Sequence, residues 1–135
     1  MTKRLIAAIL LLMLWMPVAA IDTKAAQASA QAFLAQVDAG KYSQAYKGSA
    51  EAIKSAVDEK SFAGPISSTR AKLGAVKSRK LKKATPATEL PGAPKGEYVV
   101  FEFTTDFANQ KGVTEVVTPM REKDGIWRVA GYYMR

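Results

Sequence analysis

Seven cations fall within fourteen residues: Arg70, Lys72, Lys77, Arg79, Lys80, Lys82 and Lys83, with no acid among them. Such a run attracts anions through long-range Coulomb forces. It would suit anionic lipid head groups, phosphorylated glycans or nucleic acid. No aromatic residue interleaves it. Single strands are held by stacking on aromatic rings, so nucleic acid fits least well. The same run also reads as a solvated edge strand, where lysines stop one sheet from pairing with another.

A second constellation is apolar. Phe101, Phe103, Trp127 and Tyr133 recur at alternating positions of two strand-like stretches. Gathered on one face, they would either line a cavity for a small apolar ligand or fill a core. A pocket also needs convergent polar groups among its apolar walls. The Tyr133 hydroxyl and Glu115 are the candidates. The chain closes on GIWRVAGYYMR, and these terminal rings read as core first and pocket second, because so short a domain has few other large residues to bury.

Glu97, Glu102, Asp106 and Glu115 are the acids on the strong strands. Glu102 and Asp106 share one face, four residues apart. Two carboxyls with separated pKa values can serve as acid and base. They read more simply as solvent-face charges beside Thr104, balanced by Lys or Arg on a neighbouring strand. Cys and His are both absent. That excludes a thiolate nucleophile and a Ser-His-Asp triad, and zinc sites built on those residues. Acid–base work would fall to carboxylates, Tyr or Lys. No catalytic residue, metal site or cofactor is therefore expected, and a non-enzymatic binding module is the leading reading. A cavity enzyme using carboxylate and Tyr chemistry is the less favoured one.

The start of the chain bears on location. Thr2-Lys3-Arg4 is cationic, Leu5 to Met16 carries no charge, and Pro17 precedes Val18-Ala19-Ala20. This is the three-part pattern of a secretory signal peptide, with cleavage expected after Ala20. Ala26-Gln27-Ala28 is a weaker cleavage site. An uncleaved anchor is the alternative, although a bilayer needs roughly 20 apolar residues. Periplasm or extracellular space follows. Beyond residue 20 the chain keeps 18 basic and 12 acidic residues, a net charge of about +6. Without Cys there is no disulfide, so a single domain over 21–135 must cohere through its own core.

The elements that would position these groups can be read in order. Residues 22–38 suit a helix, with Ala26, Ala30, Phe33, Leu34 and Val37 on one face and Gly40 as its stop. A second helix is expected over 42–57. Asp58 would cap a short turn through Phe62, Gly64-Pro65 would break it, and a new helix would run from Pro65 to Leu73, ended by Gly74. Residues 75–83 are a weak strand and 84–96 a Pro-rich loop, either a lid over an open end of the sheet or a stiff hairpin connection. Residues 97–107 alternate strongly, with Val99, Phe101, Phe103, Thr105 and Phe107 on one side. Asn109 to Gly112 and Lys123-Asp124-Gly125 are tight connections to two further strands. In the last strand, strict alternation puts Trp127, Val129, Gly131 and Tyr133 toward the helices, and Gly131 marks a bulge, a bend or a close approach. Helices first and hairpin-linked strands after predict an α+β domain, its helices packed on one face of a three- to four-stranded antiparallel sheet.

The stretches AGKYSQAY, STRAKLGAVKSR, LPGAPKGEYVVFEFTTDFAN and DGIWRVAGYYMR, in that order, resemble a bacterial family known as domain of unknown function 4019. The likeness covers most of residues 22–135. Gly64-Pro65 and Phe62 depart from its pattern. The resemblance implies a small exported bacterial protein with a cystatin-like or nuclear-transport-factor-like shape. The family has no established activity, so no catalytic residue carries over. The expected partners are a small apolar ligand or an anionic envelope component, the latter through residues 70–83, with a homodimer through the sheet also open.

Overall fold

The computed structural model describes residues 21–135. The export signal read in residues 1–20 lies outside the described residues. Four helices, α1 (Thr23–Asp38), α2 (Tyr42–Lys47), α3 (Glu51–Lys54) and α4 (Glu59–Leu73), precede four strands, β1 (Val76–Ala87), β2 (Glu97–Phe107), β3 (Val113–Arg121) and β4 (Trp127–Met134). The strands form one antiparallel meander in the order β1-β2-β3-β4, and the helices cover one of its faces. This is the α+β architecture the element order predicts.

Helix α1 forms as its pattern demands. The Asp22 carboxylate accepts the Ala25 N–H at 3.1 Å, satisfying an otherwise orphaned donor. Its buried stripe is the expected set, Ala26, Ala30, Phe33, Leu34 and Val37. These meet Val99, Phe101 and Phe103 of β2, Val117 of β3 and Val129 of β4. Phe33 is the hub: its ring lies edge-on to Phe62 of α4 at 6.2 Å and to Tyr132 of β4 at 5.4 Å. Each such ring stabilises the fold by about 1.5–3 kcal/mol through burial.

The helix expected over 42–57 is divided. The Ser49 hydroxyl donates to the Ala45 carbonyl at 2.7 Å, and Ala50 becomes extended. The Ala50 N–H then reaches the Val129 carbonyl of edge strand β4 at 2.8 Å. The helix gives up continuity to pair an edge carbonyl that would otherwise be open.

Gly64-Pro65 does not break α4, which runs on through both residues. Asp58 caps it as expected, accepting from the Ser61 N–H at 2.7 Å. Pro65 removes one ladder donor, but both Gly64 and Pro65 face solvent, where water can serve the freed carbonyl. Gly64 also has no Cβ for the Pro ring to strike. Gly74 ends the helix at φ +79°, a backbone state that favours glycine.

Strand β1 is longer than the expected 75–83 and takes in Pro86, opposite Val99. Proline is tolerated there because β1 is an edge strand. The remaining connection, 88–96, is the hairpin link between β1 and β2. Its Pro94 carbonyl accepts the Tyr98 hydroxyl at 2.6 Å. Tyr98, on the sheet face away from the helices, is thereby buried.

The final strand departs from strict alternation. Thr118 pairs with Gly131, but Pro119 pairs with Val129, so Ala130 is an extra residue. Pro119 brings no N–H to the ladder at this point, and a one-residue bulge re-aims every side chain after it. Trp127 and Val129 face the helices as expected. Beyond the bulge Tyr132 packs into the core, while Tyr133 lies on the opposite face, 54% exposed.

Candidate functional site

Six elements converge on one polar network, with Thr105 of β2 among its members and only Asp38 open to solvent. Asp38 ends α1, Arg70 lies in the last turn of α4, Arg79 is on β1, Glu115 on β3 and Tyr132 on β4. Arg79 donates from Nε to Glu115 Oε1 at 2.8 Å and from both Nη atoms to Asp38, at 2.7 and 2.9 Å. Arg70 Nη2 donates to Asp38 Oδ1, and its Nη1 stands 3.6 Å from Glu115 Oε2. The Thr105 hydroxyl donates to Glu115 Oε1, and the Tyr132 hydroxyl to Glu115 Oε2. The Arg70 guanidinium also stacks 4.9 Å from the Phe107 ring centroid, a favourable cation–π arrangement.

Two guanidiniums face two carboxyls, so formal charge cancels where Glu115 is fully buried and Arg70 only 7% exposed. Burial by itself would raise the Asp38 pKa; hydrogen bonds from Arg79 and Arg70 outweigh it and hold the carboxyl below its ordinary value. Burial likewise works against the charge of both arginines, and their bonds to Asp38 reverse it, keeping them firmly protonated. Burial, with the Glu115 charge beside it, pushes the Tyr132 phenol well above its ordinary value. Among the described residues no buried side-chain nitrogen or oxygen lacks a partner. A satisfied network of this kind holds elements together. An open cleft of about 660 Å³ between α1, α4 and β1 has Asp38 and Arg70 among its lining residues, but their polar atoms are already engaged with each other.

The network separates the basic run into two populations. Arg70 and Arg79, read from sequence as part of an anion-binding surface, turn inward to Asp38 and Glu115; that part of the reading is corrected, because the fully buried Glu115 carboxyl demands cations. Lys72, Lys77, Lys80, Lys82 and Lys83 are exposed. Lys77 and Lys82 sit at the two register shifts of β1, and Lys80 and Lys83 pair with Thr104 and Glu102. None of these lysines forms an ion pair among the described residues.

The aromatic candidates also divide. Phe101 and Phe103 are buried in the core, their rings 6.3 Å apart. Glu115 points into the polar network. Trp127 is half-buried and lines a groove of about 290 Å³ with Phe33, Gln36 and Val129. Tyr133 is on the far face, so it does not join them; the bulge at Ala130 is the reason. Of the strand acids, Glu102 accepts from Arg135 at 2.7 Å, Asp106 accepts the Gly112 N–H at 2.8 Å, and Glu97 lies 3.5 Å from Arg121. Glu102 and Asp106 thus have separate partners. Asp38, Thr105 and Tyr132 are the members that sequence reasoning missed as site residues. Asp38 carried one signal: an acid at a helix C-terminus opposes the dipole, and a cation partner elsewhere resolves that conflict.

No described helix is long and apolar enough to cross a membrane. No curated protein and no solved structure matches the chain. A family model does match, over residues 29–132, which hold the α1 stripe from Ala30 on, the Asp38–Glu115 network and nearly all of the sheet; the chain belongs to that family, described as protein of unknown function (DUF4019).

Proposed function

We propose that this protein is an exported, non-enzymatic binding module of the cell envelope, and that it takes an anionic partner through the lysine edge of β1. One observation carries the reading. Lys77, Lys80, Lys82 and Lys83 stand exposed on an edge strand with no ion-pair partner among the described residues, while the arginines of the same run are consumed internally. Export rests on the signal-like pattern of residues 1–20. Two copies pairing through β1 would set these lysines against each other, and like charges directly opposite are destabilising, so a partner of opposite charge fits the edge better than a second copy. A small apolar ligand beside Trp127 is a second reading, favoured by the half-buried ring in its groove.

The test is binding to an acidic polysaccharide and to phosphatidylglycerol vesicles, at low and raised salt. Each lysine near an anionic surface contributes about 1 kcal/mol. Replacing all four lysines by Ala should weaken binding roughly 100- to 1000-fold, and salt should weaken binding by the unsubstituted protein. Undiminished binding by the fourfold variant would refute the assignment.

A further inference from the structure

The helices leave the second face of the sheet to solvent, and the 88–96 connection reaches over only the end that holds Tyr98, Thr118 and Gly131. On the uncovered end two rows cross all four strands. One runs Lys83, Glu102, Val116, Tyr133 and the other Lys80, Thr104, Thr114, Arg135. Neighbouring strands lie about 4.8 Å apart, so each row spans roughly 14 Å. The two rows are tied together where Arg135 Nη2 meets Glu102 Oε1 at 2.7 Å. Lys80 and Lys83 stand free at one side, and the Tyr133 ring lies exposed at the other.

We infer that this face binds an acidic glycan, which lays the C–H face of one sugar on Tyr133 and places an acidic group at Lys80 and Lys83. The inference rests on the envelope-binding reading above and names the partner it takes. Three properties select this chemistry. A ring standing on a flat polar surface offers dispersion and apolar burial to a sugar's C–H face. The Thr104 and Thr114 hydroxyls and the Glu102–Arg135 pair, between ring and lysines, donate and accept hydrogen bonds as sugar hydroxyls require. The free cations lie at one side and the ring at the other, which suits a carboxylate-bearing sugar chain laid across the face. A bilayer surface would call for an apolar face to bury, and this end of the sheet presents one ring among hydroxyls and charges. A single-stranded nucleic acid would use several rings for stacking, and this face presents one.

The full chain would be titrated with polygalacturonate, with dextran as the neutral control and phosphatidylglycerol vesicles as the lipid control. Polygalacturonate should bind, dextran should not, Tyr133→Ala should weaken binding about tenfold, and Tyr133→Phe should retain it. Lys80→Ala with Lys83→Ala should weaken it further. Tyr133 is exposed, so unchanged thermal melting is expected for its variants. Polygalacturonate binding that Tyr133→Ala leaves intact would overturn the inference. Binding to the vesicles but not to polygalacturonate would also overturn it, while sparing the lysine-edge reading. Binding to neither would remove both.

Discussion

Arg79 and Asp38 lie 41 residues apart in the chain and meet through two hydrogen bonds, at 2.7 and 2.9 Å. The contact joins the free edge of the sheet to the C-terminus of the first helix, and Glu115 takes the remaining Nε donor. A planar fork reaches both carboxyls through three donors fixed in one plane; a lysine ammonium is a single point charge and does not reproduce that geometry. Arg79→Lys should therefore lower stability despite conserving charge, and Arg79→Met should cost about 3 kcal/mol by leaving the buried Glu115 carboxylate without its nearest cation. A double-mutant cycle with Asp38→Asn, followed by urea unfolding, should return a coupling energy above about 1 kcal/mol.

The network also fixes how stability depends on pH. The folded-state pKa of Asp38 is lowered. Its contribution is then fully present above the unfolded value of about 3.9 and is lost as pH falls through the folded one. Tyr132 is raised, so its contribution is fully present below about pH 10 and is lost as pH rises above that. Urea midpoints should stay level between these limits and fall on both sides. Tyr132→Phe should flatten the alkaline limb and leave the acid limb in place.

The two adjacent tyrosines of β4 should behave as opposites. Tyr132 packs on Phe33 and donates to Glu115; its replacement by Ala should cost about 3–5 kcal/mol. Tyr133→Ala should stay within about 0.5 kcal/mol. Deleting the last four residues removes Tyr132 and should abolish cooperative unfolding in a calorimeter.

Much of this organisation was legible in the residues themselves. The α1 stripe, the Asp58 cap, the Gly74 stop and the alternation of β2 depend on nearby sequence, and each stands where local chemistry puts it. What escaped depends on partners far along the chain. The break at Ser49-Ala50 answers to the Val129 carbonyl. The reversal of Tyr132 and Tyr133 answers to a bulge opposite Pro119. Arg70 and Arg79 looked like surface cations because Asp38 and Glu115, which draw them in, sit on other elements. The basic segment thus contained both a structural pair and a free set, and composition alone does not separate them.

Pro65 marks a place where the fold overrides local preference. Proline inside a helix costs about 3 kcal/mol against alanine, part of which the exposed setting and Gly64 relieve. Pro65→Ala supplies the missing N–H to Ser61 and should raise stability by about 1–2 kcal/mol, read as a higher urea midpoint with an unchanged slope.

The division of labour within residues 70–83 is tested most directly by measuring, side by side, the urea stability and the polygalacturonate affinity of two variants: Arg79→Met, and the fourfold replacement of Lys77, Lys80, Lys82 and Lys83 by Ala. The expected result is a clean separation, with Arg79→Met unfolding early yet binding normally while folded, and the lysine variant stable but without affinity. Equal loss of binding in both, or full affinity in the lysine variant, would contradict it.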